Sequence, residues 1–117
     1  MKRKTSELTD LTLDWAVAKC QGHPGAESTR CGFEDGYGSG RVFGAPNYSG
    51  DWSLGGPIMD AAEIDSYLYE RGSPFGYIAE ITGTRAKGKG PTRLIAAMRC
   101  YVANEMGYEV DVPEEFL

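Results

Sequence analysis

No stretch of this 117-residue chain approaches the ~20 apolar residues that a membrane-spanning helix needs. Met1-Lys2-Arg3-Lys4 is basic, but Thr5-Ser6-Glu7 stands where a secretory signal would carry its apolar core. A cytoplasmic protein is therefore expected. Cysteine is scarce, and Cys20, Cys31 and Cys100 make an odd number in a reducing compartment, which argues against disulfides. Histidine is scarcer still, with His23 alone. Cys20-x-x-His23, Cys31 and a distant Cys100 lack the second short pair that marks a zinc site, so no metal is expected. Excess positive charge is missing too. A net charge of −5 leaves no broad basic face for phosphates, which excludes a general nucleic-acid binder but not a local basic pocket. There is no Gly-x-Ser-x-Gly elbow, no His-Glu-x-x-His helix and no carboxylate pair at a telling spacing. Nothing in the residues recommends an enzyme or a cofactor.

What is present is ordinary globular material: 41% hydrophobic and 25% charged residues, enough for one domain over 1–117 with a core that needs no staples. The outlier is glycine, with 16 residues, most of them between Gly22 and Gly90. An α+β fold is expected, a small antiparallel sheet packed with two main helices around a glycine-rich central excursion. The first helix spans about 9–21, with Thr9 or Asp10 as N-cap, Leu11, Trp15 and Ala18 on one face, and Gly22 as the stop. Asp14 and Lys19 fall off that stripe, and Trp15 reads as a core anchor. Gly36-Tyr37-Gly38-Ser39-Gly40 lacks a P-loop ending and reads as a hairpin tip between 31–35 and 41–45. Ser66–Tyr69 and Tyr77–Ile81 alternate and predict an antiparallel hairpin, followed by a mobile basic loop over Gly83–Gly90. The second helix spans about 91–106, with Pro91 near its first position, Leu94, Ile95, Met98, Tyr101 and Val102 as its apolar stripe, and Gly107 closing it. Tyr108–Val112 alternates like an edge strand.

The stretch with most chemical character is Asn47-Tyr48-Ser49-Gly50-Asp51-Trp52-Ser53-Leu54-Gly55-Gly56-Pro57. Its density of turn-formers predicts a shaped surface loop rather than a helix. Asp51-Trp52 offers a flat ring beside an acceptor, suited to stacking a nucleobase and bonding its amino edge or a ribose hydroxyl. Gly55-Gly56 would let a ligand reach backbone N–H groups. The start of the second helix adds the Thr92 N–H and the helix dipole, with Arg93 in its first turn and Arg99 further along a more polar face. The candidate ligand set is therefore Asn47, Asp51, Trp52, Gly55, Gly56, Thr92, Arg93 and Arg99. Two readings stand for Trp52: a stacking platform, or a lid folded onto the core.

Three blocks carry a resemblance: Leu13-Asp14-Trp15-Ala16-Val17-Ala18-Lys19-Cys20, then Asp51-Trp52-Ser53-Leu54-Gly55-Gly56-Pro57-Ile58, then Pro91 to Val102. In order and spacing they resemble the NinX-like family of small tailed-bacteriophage and prophage proteins. The chain departs from that pattern over residues 32–50 and at Arg93, where the family often carries a second proline. The resemblance implies a phage accessory protein in the cytoplasm of an infected bacterium, dispensable for the virion, and brings no list of catalytic residues. It raises the expectation of a homo-oligomeric counter-defence binder that sequesters a nucleotide-derived immune signal, ADP-ribose-like or cyclic. The alternatives are a module that binds a host or phage replication, recombination or defence protein, and an enzyme that cleaves the signal through Asp51 or His23.

Overall fold

A computed structural model describes residues 2–8, 10–22, 33–34, 41–42 and 46–112, with elements in the order β1 (Lys2–Lys4), a 3-10 turn (Thr5–Glu7), α1 (Asp10–Cys20), β2 (Phe33–Glu34), β3 (Arg41–Val42), α2 (Trp52–Ala62), β4 (Ile64–Leu68), β5 (Tyr77–Ile81), β6 (Lys87–Gly90), α3 (Arg93–Met106) and β7 (Glu109–Asp111). The class is α+β, as expected, and α2 is a third helix beside the two main ones anticipated.

The core is built on α3. Leu94, Ala96, Ala97, Met98, Cys100 and Val102 are buried along it, and it packs on the sheet β4-β5-β6 as well as on α1 and α2. Pro91 stands one residue ahead of the cap rather than inside the first turn. Thr92 caps the helix, its hydroxyl oxygen accepting from the Ile95 N–H at 3.1 Å. Gly107, at φ +87°, ends the helix where a side chain would be strained. The predicted hairpin is present in the register Ile64↔Ile81 to Leu68↔Tyr77, begun two residues earlier than the alternation suggested.

The basic stretch 83–90 is not a loop throughout. After a turn at Gly83, Lys87-Gly88-Lys89-Gly90 adds β6 antiparallel to β5, with Ala79 opposite Gly88. The glycines alternate inward and the lysines outward. At Gly88 only a residue without a Cβ fits, because the α3 backbone lies against the strand. What reads as flexibility is packing.

The larger correction falls on 47–57. Trp52–Ala62 is an α-helix, although Gly55, Gly56 and Pro57 lie inside it. Asp51 is its N-cap, and Oδ1 accepts from the Ser53 N–H at 2.9 Å and the Ser53 hydroxyl at 2.7 Å. Tertiary packing overrides the poor local propensity. A Cβ on Gly55 would sit 2.4 Å from the Tyr48 carbonyl oxygen and 2.6 Å from Leu94 Cδ1, so this glycine lets α2 close on α3. Gly56 is different, since a Cβ there meets only Trp52 Cε3 at 3.8 Å. Gly56→Ala is expected to raise stability by about 0.5–1 kcal/mol by removing a helix-interior glycine, whereas Gly55→Ala lowers it. Urea denaturation of the pair checks the opposite signs.

On α1, Trp15 is 1% exposed, with the Lys19 ammonium 5.2 Å from its ring centre. Asp14 is buried rather than off the stripe. Its carboxylate accepts from the Ser49 N–H at 2.9 Å and so anchors the turn that leads into α2. The edge strand expected near 108–112 is β7, and it pairs antiparallel with β1, which the sequence did not suggest. β2 and β3 pair antiparallel, Phe33↔Val42 and Glu34↔Arg41. The glycine run 36–40, His23 and Cys31 lie outside the described residues.

Candidate functional site

The starts of α2 and α3 meet at one surface cleft of about 230 Å³, lined by Trp52, Tyr77, Pro91, Thr92 and Arg93. Trp52 is 54% exposed, which removes the core-lid reading. It is the first residue of α2, directly after the Asp51 cap. Arg93, the first residue of α3, places its guanidinium carbon 5.1 Å from the Tyr77 ring centre. The Ser66 hydroxyl donates to the Arg93 carbonyl at 2.9 Å and ties this corner to β4. The N-terminus of α3, an arginine and two aromatic rings thus share one opening, a combination suited to a phosphate joined to a flat ring.

Three of the eight sequence candidates, Trp52, Thr92 and Arg93, come together here. The Thr92 hydroxyl accepts within its own helix, leaving the cation and the helix end to address a ligand. Thr92→Ala is expected to cost about 1 kcal/mol through the lost cap, seen as a lower denaturation midpoint. Asp51 acts as the cap of α2; the Ser53 hydroxyl and N–H bonds hold its carboxyl below the usual carboxylate range. Asn47 is a turn residue, its carbonyl accepting from the Asp51 N–H at 2.9 Å. Gly55 is buried in packing and offers no cradle for phosphate. Arg99 does not lie on a polar face. It is 5% exposed and lines a separate cavity.

Tyr77 was missed. The alternation of 77–81 places it in a strand, but only the register Tyr77↔Gly90 sets it beside Pro91 and Arg93. No signal in the sequence reports that pairing.

Burial pushes the Cys20 thiol up to about 12, with Glu105 adding to the effect, and burial pushes Cys100 up to about 11. Both stay protonated and inert near neutral pH. Among the described residues, no group of three His, Cys, Asp or Glu side chains could hold a metal ion. Nor is any described helix long and apolar enough to cross a membrane.

The sequence pattern of the family described as "Bacteriophage P22, NinX" matches residues 4–105. The chain belongs to the NinX family. The match takes in α1, α2, the three-stranded sheet and nearly all of α3, so every residue lining the cleft falls within the NinX pattern. No individual curated protein matches the chain.

Proposed function

We propose that this NinX-family protein is a non-enzymatic binder that sequesters a phosphate-bearing, nucleotide-derived signal in the cytoplasm of an infected bacterium. The observation that carries the reading is an exposed Trp52 beside Arg93 where two helices begin. Trp52 stacks the base, Arg93 meets the phosphate, and the amide end of α3 adds its dipole. The ionised Asp51 capping α2 repels phosphate from the Trp52 side and so sets the ligand's direction. A cleft of about 230 Å³ is smaller than the roughly 300–1,000 Å³ of a full ligand site. It covers a base and one phosphate, and a second copy of the chain closes over the remainder. A homo-oligomer is therefore part of the proposal.

The test is retention: nucleotide signals, ADP-ribose-like and cyclic, are mixed with the protein, the free pool is removed, and heat denaturation releases what was held. Recovery of intact ligand is expected. Turnover, or no retention across the panel, would overturn the reading.

A second reading rests on the aromatic surface. Tyr69 is 71% exposed, Tyr108 58% and Phe75 54%, besides Trp52. Such residues anchor protein interfaces, and the partner would be a host or phage replication, recombination or defence protein. A single stoichiometric protein partner, with no melting shift from any nucleotide, would favour it.

A further inference from the structure

The guanidinium of Arg99 is buried, yet both of its recorded bonds go to neutral carbonyls: Nε to Leu8 at 3.0 Å and Nη1 to Lys89 at 2.7 Å. Among the described residues, no carboxylate is paired with it. Carrying a cation into the interior costs several kcal/mol unless an anion compensates, and here burial alone pulls the Arg99 pKa below its usual value. The side chain lines a cavity of about 400 Å³, a size within the roughly 300–1,000 Å³ typical of small-molecule sites. This cavity shares no lining residue with the Trp52 cleft.

Its walls add two further kinds of group. Lys87 and Lys89 bring more positive charge; Glu80 stands opposite Lys87 across the strands, but the neighbour of Lys89 is the apolar Ile78. Two rings, Phe75 and Tyr108, face the same space. The Tyr108 hydroxyl donates to the Arg85 carbonyl at 2.9 Å, and its own carbonyl accepts from the Thr5 N–H at 2.8 Å, so this ring is held in place. β6 is the outer strand of its sheet, and one of its backbone edges borders the cavity. A cation at the base and flat apolar walls match one kind of ligand chemistry.

We propose that this cavity is a second binding site, which takes an oxyanion carried on a flat apolar body, with Arg99 and Lys89 meeting the oxyanion and Phe75 and Tyr108 flanking the body.

Phenyl phosphate, phenol and inorganic phosphate are the probes, titrated into the full chain and followed by amide NMR. Phenyl phosphate is expected to shift Gly88, Lys89, Ala103 and Tyr108 and to bind at least about tenfold more tightly than phenol or phosphate, a difference of about 1.4 kcal/mol. Lys89→Ala, an exposed position, is expected to weaken it about two- to fivefold. Arg99→Met is expected to abolish it; if that variant does not fold, the titration of the natural chain and of Lys89→Ala decides the matter. Trp52→Ala leaves this binding unchanged, so the two sites fail or stand separately. Phenol binding as tightly as phenyl phosphate, or shifts confined to residues 52, 77 and 91–93, would overturn the proposal.

Discussion

Gly88→Ala is expected to destabilise the protein by at least about 3 kcal/mol, at the upper end of the usual cost of overpacking. A Cβ built at this position would lie 2.2 Å from the Ala96 carbonyl oxygen, 2.4 Å from the Cys100 nitrogen and 3.0 Å from the Cys100 Cα. All three atoms belong to the backbone of α3. A side chain in the way can change rotamer, but here the helix itself must back off the sheet. That movement would loosen the contacts of Ala96, Ala97 and Cys100, which are completely buried. It would also pull on the Arg99 bond to Lys89, one residue from the substitution. The melting temperature should fall on the order of 10 °C for a domain of this size. Gly90→Ala is the informative companion. Its nearest contact is the Ile95 Cγ2 at 2.8 Å, a side-chain atom able to give way, so the loss should be smaller. Equal losses at the two positions would mean that β6 does not lie against the helix backbone as described.

The same strand shows why part of the fold could be read in the sequence and part could not. α3 carries a 3.6-residue apolar period between a polar cap and a glycine stop, and β4 with β5 carries plain alternation. Those signals are local, and they survive into the structure. Lys87-Gly88-Lys89-Gly90 also has period two, but its inward residue is glycine, which a hydrophobicity pattern scores as nothing. α2 fails for a related reason. Gly55, Gly56 and Pro57 each argue against a helix, and the reason for Gly55, the Tyr48 carbonyl and the Leu94 side chain where a Cβ would stand, exists only after folding. In both places glycine marks where two backbones approach, and composition cannot separate that use from flexibility.

The site divides along the same line. Thr92 and Arg93 were found because they stand at a helix start with a visible cap. Trp52 was found because a large aromatic sits beside a carboxylate among turn-formers, although that stretch proved to be a helix start as well. Tyr77 depends on strand register, and Arg99 on the depth at which α3 is sunk between the sheet and the 3-10 turn. Asp14 was misplaced because helical periodicity gives the direction of a side chain, not whether a turn from elsewhere, here Ser49, comes down on top of it.

Trp52→Ala should separate the two functional readings of this NinX-family chain. More than half of the ring's surface faces solvent, and the residue stands at the first position of α2, so its removal uncovers little core. The fold should therefore keep its melting temperature, with the Asp51 cap intact. Stacking on an aromatic ring is worth about 1–3 kcal/mol per base, so retention of the nucleotide should weaken by about five- to 150-fold. Trp52→Phe keeps a smaller ring and should fall between the two. Arg93→Ala removes the cation stacked on Tyr77 and should weaken phosphate-bearing ligands while sparing a bare nucleoside. If the alanine variant at Trp52 instead holds nucleotide as well as the natural chain does but loses a protein partner, the ring is an interface anchor, and the cleft it borders is the rim of a docking surface.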